Sequence, residues 1–357
     1  MVSAREIEAM ARAVALADRG RATVLPNPVV GCVLMTPEGQ VVGEGWHQEA
    51  GLPHAEVVAL EAAGAAARGA TAVVTLEPCA HSGRTGPCTT ALLQAGVSRV
   101  VVGVLDPWEP AAGGAALLRA AGVDVEVGVD SAAVEAVNRP WLTAVRNRRP
   151  YVTWKVASTV DGRVAAADGT SRWITGAEAR ADVHRLRAEC DTVLVGAGTV
   201  RTDDPWLTTR DTAGVPLPRQ PLRVVVDSAG RTPGTARVRD RSAPTWIATA
   251  AEVGDDGAGR VDLRRLLTEL FSRERRHVLV EGGPTLAGAM VAAGLVDRVV
   301  AYIAPLLLGA GLPALGAAGV STLDAAPRWH LADVARFGDD VRLTLEPPDA
   351  RTSGPAP

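Results

Sequence analysis

Between residues 71 and 129 the chain alternates apolar strand-like runs with helix-like segments: TAVVTLEP (71–78), CTTALLQAG (88–96), VSRVVVGVLD (97–106), AAGGAALLRAAG (111–122) and VDVEVGV (123–129). Strands this apolar need cover on their faces, and the intervening helices supply it. The pattern therefore confines the chain to an α/β layer arrangement, a sheet covered by helices. Upstream, residues 3–20 place Ile7, Met10, Ala11, Val14 and Ala17 at helical spacing up to Gly20. The runs at 29–35 and 40–46 flank Thr36-Pro37-Glu38-Gly39, a turn signal between two strands. Residues 54–69 read as a helix stopped by Gly69, and 131–149 as one helix running up to Pro150. A different series follows: strands at 151–159, 222–228, 244–249, 276–283 and 296–305, helices at 176–190 and 284–294, and a strand at 191–199 entering a glycine loop. The halves share no repeat, so two unlike domains are expected, at 1–149 and 150–347. The polar, Pro/Gly-rich residues 348–357 are expected to be a disordered tail.

Composition narrows the function. Of 357 residues, 47% are hydrophobic and 22% charged, as in a soluble globular protein, and the net charge is −3. That balance argues against nucleic-acid or membrane-surface binding, although a local arginine patch remains compatible with it. No apolar run reaches transmembrane length, and the first twenty residues carry acids where a signal peptide needs a basic start, so a cytoplasmic protein is expected. Four cysteines are too few for a disulfide scaffold; in a reducing compartment a cysteine pair is more often metal-binding or catalytic. Cys32, in an apolar strand, and Cys190, at a helix end, read as packing residues. Lys155 is the one lysine in the chain.

The other two cysteines lie in one glycine-rich loop, PCAHSGRTGPC (78–88), and upstream stands Pro53-His54-Ala55-Glu56. His54, Cys79 and Cys88 are one imidazole and two thiolates, a donor set suited to Zn²⁺ that leaves a fourth position for water. The ion lowers the pKa of that water towards about 7. Glu56, two residues after His54, is near enough to carry a proton from the water to a leaving amine without binding the metal. This is the division of labour in zinc nucleobase deaminases, with signature H-x-E…P-C-x-x-C. Here eight residues, not two, separate the cysteines; both reach one ion if Cys79 ends a strand and Cys88 opens the next helix. A helix N-terminus would favour the Cys88 thiolate. The alternative is a closed structural zinc site with His81 or His47 as fourth ligand.

PHAE (53–56) and EPCAHSGRTGPC (77–88), preceded by LPNPVVGCV (25–33) and GWHQEAG (45–51), resemble the deaminase half of the bifunctional riboflavin-biosynthesis deaminase/reductases of RibD type. The resemblance implies a cytidine-deaminase-like fold, zinc on His54, Cys79 and Cys88, and Glu56 as catalytic proton shuttle. It also implies that Asn27, His47 and Arg84 hold the pyrimidine and its ribose phosphate. An arginine fork suits a phosphate; the plainer readings are a solvated loop charge for Arg84 and turn chemistry before Pro28 for Asn27. One segment departs from the family: Asp106-Pro107-Trp108-Glu109-Pro110 stands where the family has Asp-Pro-Asn-Pro.

In the second half, Val195-Gly196-Ala197-Gly198-Thr199 and Val280-Glu281-Gly282-Gly283-Pro284-Thr285 are glycine turns, but neither is the G-x-G-x-x-G fingerprint. A strand, two glycines and a helix start can still accept an anion. TWKVASTVDGRVA (153–165), DGTSRWITG (168–176), the segment 182–210, VVVDS (224–228), LVEGGPTLAG (279–288) and AYIAPLLLGAG (301–311) resemble the reductase half of the same family, whose fold is similar to dihydrofolate reductase and which uses NADPH. The resemblance implies NADPH contacts at Ala157, Trp173, Thr199, Asp203, Ser228 and along Gly283, Pro284, Thr285, Leu286, Ala287, Gly288 and Ala289. It implies substrate contacts at Ser171, Arg187, Leu207, Arg210 and Glu281. Lys155 is a candidate for substrate positioning or proton delivery. The expected function is hydrolytic deamination of 2,5-diamino-6-ribosylamino-4(3H)-pyrimidinone 5′-phosphate, then NADPH-dependent reduction of its ribosyl group to ribityl, in a homo-oligomer that binds neither nucleic acid nor membrane. The rivals are a paralogue acting on another pyrimidine, a nucleic-acid-editing deaminase and a non-catalytic zinc module.

Overall fold

The structure, a computed structural model, describes residues 1–81 and 86–348. Arg84 and the expected tail beyond residue 348 lie outside the described residues. The chain divides into two compact units, Met1–Arg148 and Arg149–Pro357.

The first unit is built on five strands: β1 (Gly31–Met35), β2 (Val41–Trp46), β3 (Thr71–Leu76), β4 (Arg99–Val104) and β5 (Asp124–Val127). Their order is β2-β1-β3-β4-β5; β1 is antiparallel to both neighbours, and β3, β4 and β5 are parallel. Six helices cover it: α1 (Ala4–Asp18), α2 (Ala55–Ala63), α3 (Cys88–Ala95), α4 (Gly114–Ala120), α5 (Ser131–Val137) and α6 (Arg139–Asn147). Side chains alternate across a strand, and β1 shows the result. Val33 and Met35 join the core of α1, α5 and α6, while Cys32 and Leu34 join that of α2, α3 and α4.

Glycines in β1 and β2 let the helices approach the sheet backbone to backbone. A Cβ on Gly31 would stand 2.0 Å from the Ala13 carbonyl oxygen of α1, and one on Gly45 would stand 2.3 Å from the Ala55 carbonyl oxygen in the first turn of α2. The seat of α2, and with it of His54 and Glu56, is therefore fixed by the absence of a side chain at position 45.

The second unit holds an eight-stranded sheet of order β10-β9-β8-β11-β6-β12-β15-β14. Six strands are mutually parallel: β6 (Tyr151–Thr159), β8 (Thr192–Gly196), β9 (Leu222–Val226), β10 (Thr245–Ala248), β11 (His277–Val280) and β12 (Arg298–Ala304). The hairpin of β14 (His330–Phe337) and β15 (Asp340–Glu346) continues it in antiparallel fashion, and β7 (Arg163–Ala165) pairs separately with β13 (Leu312–Pro313). The helices are α7 (Ala177–Ala188), α8 (Ala197–Asp203), α9 (Ala250–Val253), α10 (Leu263–Ser272) and α11 (Pro284–Ala292). Leu266, Leu267 and Leu270 of α10 and Met290 of α11 pack one face, and Val183 and Leu186 of α7 pack the other.

Three elements differ from expectation. Residues 131–149 form two helices, because Pro140 has no N–H for the ladder and its ring clashes with the turn before it; α6 starts afresh at Arg139, and at the break the Asn138 side-chain amide bonds Val29 in both directions, accepting from its N–H at 3.2 Å and donating to its C=O at 3.1 Å. The helix expected over 54–69 ends at Ala63, where Gly64 turns to φ 54° and a 3₁₀ turn follows. The expected glycine loop at 196–199 is the start of α8.

Gly45→Ala should force the first turn of α2 off the sheet and cost about 1–3 kcal/mol, as overpacking does. Thermal unfolding measures this, and an unchanged melting temperature would contradict the close seat.

Candidate active sites

His54 is the N-cap of α2, with extended backbone (φ −73°, ψ 164°), and its side chain makes no capping bond. The ring faces the sulfurs instead. Nδ1 lies 3.3 Å from Cys88 Sγ and 3.7 Å from Cys79 Sγ, and the three donor atoms fall within 4.8 Å of one another. Tetrahedral zinc with ordinary bond lengths needs N···S edges of roughly 3.6 Å. Both N···S distances lie close to that value, so the donor set fits the ion. Cys79 follows the end of β3, and Cys88 is the first residue of α3, as the spacing demanded.

The helix start serves Cys79 rather than Cys88. The Cys88 N–H donates to Cys79 Sγ at 3.3 Å. The Cys88 thiol first, then His54 and this N–H, hold the Cys79 thiol down at about 4, whereas the hydrogen bond to Cys79 and then burial push the Cys88 thiol up. The first N–H of α3 thus reaches the sulfur of Cys79, and a zinc ion would take both cysteines as thiolates.

Neither candidate for a fourth protein ligand joins the set. His47 is buried with both nitrogens engaged, Nδ1 with the Pro53 carbonyl at 3.1 Å and Nε2 with Asn27 Nδ2 at 3.0 Å. His81 lies outside the set that converges among the described residues. Glu56 is buried in the first turn of α2, within hydrogen-bond reach of Cys88, and burial pushes its carboxyl above the ordinary range. Ala111 packs on both cysteines, so the departing segment 106–110 leads directly into the wall of the site. Within that segment Asp106 accepts the Trp108 N–H at 2.8 Å, and Glu77 accepts the Asp106 N–H at 3.0 Å.

In the second unit, the residues expected around NADPH gather where parallel strands end, the edge at which open α/β sheets bind ligands. Ala157 lies in β6, Thr199 and Asp203 in α8 after β8, Ser228 after β9, and 283–289 run from the end of β11 into α11. Gly283 caps α11, and its N–H donates to Thr199 Oγ1 at 3.1 Å. Pro284 takes the first helical turn, where its missing N–H costs nothing. A Cβ on Gly283 would meet only Thr199 Oγ1, at 3.5 Å, so this backbone lies bare for an approaching phosphate. The Ser228 hydroxyl is turned to the Val261 N–H at 3.1 Å. Trp173 is 69% exposed, with the Arg180 guanidinium 4.5 Å from its ring centre.

Four of the expected substrate residues, Lys155, Arg187, Arg210 and Glu281, form a charged cluster on the α7 side of the sheet. Arg187 grips Glu281 through Nε at 2.5 Å and Nη2 at 2.9 Å, and its Nη1 donates to the Thr208 carbonyl at 3.1 Å. Arg210 Nε donates to Thr208 Oγ1 at 3.1 Å. Leu207 is buried with φ 55°. Lys155 shares the face of Ala157; burial lowers its pKa, and Glu281 opposes that shift. Ser171 is half-buried in the segment before α7. Sequence reasoning missed Thr208 and His184; the latter is legible as the residue one helical turn before Arg187.

A three-layer sheet presenting a zinc-competent His–Cys–Cys set beside a buried glutamate, followed by a mostly parallel sheet with bared strand ends, defines a class: a cytidine-deaminase-like enzyme joined to a reductase with a fold like dihydrofolate reductase. Residues 3–104 match the cytidine and deoxycytidylate deaminase zinc-binding region, and residues 150–343 match the RibD C-terminal domain. The riboflavin biosynthesis protein RibD of Mycobacterium tuberculosis (strain CDC 1551 / Oshkosh) is 46% identical, covering 95% of this chain and 96% of its own. That of Escherichia coli K12 is 43% identical, covering 94% and 98%. Among solved structures, Acinetobacter baumannii RibD superposes with a TM-score of 0.87 at 40% identity, covering 96% of this chain and 99% of its own. A Thermotoga maritima diaminohydroxyphosphoribosylaminopyrimidine deaminase/5-amino-6-(5-phosphoribosylamino)uracil reductase superposes at 0.85 and 34% identity, with the same coverage. The chain belongs to the RibD family. It is a bifunctional deaminase and reductase of riboflavin biosynthesis, working with Zn²⁺ and NADPH.

The purified protein should carry about one zinc per chain. His54→Ala and Cys88→Ala should each lose most of it, while Cys32→Ala, a change in the apolar core, should keep it. Metal analysis of the three variants decides; zinc retained in Cys88→Ala would contradict the ligand set.

Proposed function

We propose that residues 1–149 deaminate 2,5-diamino-6-ribosylamino-4(3H)-pyrimidinone 5′-phosphate and that residues 150–347 reduce the ribosyl group of the product to ribityl. The observation that carries the first half is the convergence of His54 Nδ1, Cys79 Sγ and Cys88 Sγ with a buried glutamate alongside. His54, Cys79 and Cys88 hold Zn²⁺, which supplies the Lewis acidity that makes water a nucleophile near neutral pH. Glu56 takes the proton of the attacking water and delivers it to the departing ammonia. Its raised pKa suits a group that must both accept and give up a proton. Asn27 and His47, already bonded to each other, hold the pyrimidine, and Arg84 takes the ribose phosphate.

In the second domain Ala157, Trp173, Thr199, Asp203, Ser228 and 283–289 hold NADPH, which supplies the hydride. Ser171, Leu207, Arg187, Arg210 and Glu281 orient the substrate, with Lys155 positioning the sugar or giving it a proton. The reactants are small phosphorylated pyrimidines, not nucleic acid. Among the described residues no helix is long and apolar enough to cross a membrane, and all four cysteines are unpaired, which suits the cytoplasm. A homo-oligomer is supported by the edge strand β14, which leaves Leu331 50% and Val334 56% exposed.

Glu56→Gln should slow ammonia release by roughly 10²–10⁴-fold. NADPH oxidation on substrate that is already deaminated should proceed at the wild-type rate. Measuring both products separates the domains; undiminished ammonia release would refute the role given to Glu56.

A further inference from the structure

The charged cluster of the second unit has a surplus of cations. Among the described residues, the charged groups that act on Lys155, His184 and Glu281 are three cations, Lys155, Arg187 and Arg210, and a single carboxylate, Glu281. Both arginines are tied to one residue, Thr208, through its carbonyl and its hydroxyl. Arg210 is further fixed by the Gly214 carbonyl at 3.3 Å and by the Trp206 ring, 4.9 Å from its guanidinium carbon. Such a cluster is preorganised and short of negative charge, the condition that favours a dianionic ligand.

His184 faces the same place. It lies one turn before Arg187 on α7, so the two share a helix face. Its Nδ1 is buried and has no hydrogen-bond partner among the described residues, an arrangement that proteins avoid unless a ligand or water completes it. The charged groups that act on it are Arg187 of its own helix, Arg210 of the segment after α8, and Glu281 after β11. Burial first, and then Arg187, lower its pKa, so in the absence of ligand the imidazole is neutral and carries one N–H to give.

We infer that His184 is a substrate-positioning residue of the reductase, donating from Nδ1 to the phosphate monoester that Arg187 and Arg210 also hold. The inference rests on reading this cluster as the reductase substrate site. A dianion there offsets the cationic surplus and fills the unmet donor together. His184 touches no reacting atom in this account; it sets how tightly and in what orientation the phosphate end is held.

The test is steady-state NADPH oxidation with the deaminated substrate, using sulfate, a dianion at every working pH, as a competing probe. His184→Ala and His184→Leu should raise KM about tenfold, as loss of one hydrogen bond to a charged group does, with kcat within about twofold of wild type. They should weaken sulfate inhibition by a similar factor. His184→Asn, whose amide lies near the position of Nδ1, should recover most of both, and NADPH affinity should be unchanged in all three. If Arg210→Ala raises KM and weakens sulfate inhibition while His184→Ala and His184→Leu do neither, His184 has no such role. Loss equal in all three His184 variants would mark a packing residue and overturn the inference as well. If sulfate fails to compete in the wild-type enzyme and Arg210→Ala leaves KM unchanged, the substrate-site reading falls, and the inference with it.

Discussion

The first unit depends on the contact between strand β2 and the first turn of α2. Gly45 allows the two backbones to touch, and that seat puts His54 at the helix N-cap and Glu56 in the first turn, both beside the two cysteines. A metal centre with an open position tolerates little displacement of its ligands, because a shift of a few tenths of an ångström changes which atoms reach the ion. The rest of the unit buttresses the contact. The sheet buries Val73, Val74, Val101 and Val102 on its two faces, Glu77 clamps the neighbouring loops through the Asp106 and Ala115 N–H groups, and Thr89 ties α3 back to the Cys79 carbonyl.

The second unit meets a different demand, to hold a large cofactor and a charged substrate at one edge. Parallel strands deliver this because every strand ends on the same side. The glycines after β11 bare the backbone, and a single residue, Thr208, connects the two arginines. Glu281 is half-buried and stays ionised because desolvation, which opposes its charge, is outweighed by Arg187, with Lys155 helping. The antiparallel hairpin of β14 and β15 stands at the far end of the sheet from β10.

Much of this was legible in the residues, and for stated reasons. The apolar runs at 71–76, 99–104 and 151–159 are strands because their composition leaves no other way to bury them. The zinc donors were readable because His, Cys and Cys with a nearby glutamate is a rare combination with one dominant chemistry. What escaped was set by tertiary contact. The break between α5 and α6 has a local sign in Pro140, but the bonds that anchor it, from the Asn138 amide to Val29 109 residues away, have none. The hairpin at 330–346 has polar residues on an exposed edge and no strong alternation, so it went unread. The direction of the Cys88 N–H, which points at Cys79 Sγ, is a matter of loop geometry. His184 escaped because what sets it apart, a buried ring nitrogen near two arginines and a glutamate, arises only in the folded chain.

Zinc K-edge X-ray absorption on the purified, substrate-free protein tests the central claim most directly. The account predicts a shell of two sulfurs at about 2.3 Å and two lighter atoms at about 2.0–2.1 Å, one of them an imidazole nitrogen and the other exchangeable with solvent. A shell with a second imidazole, a third sulfur or a single sulfur would contradict it.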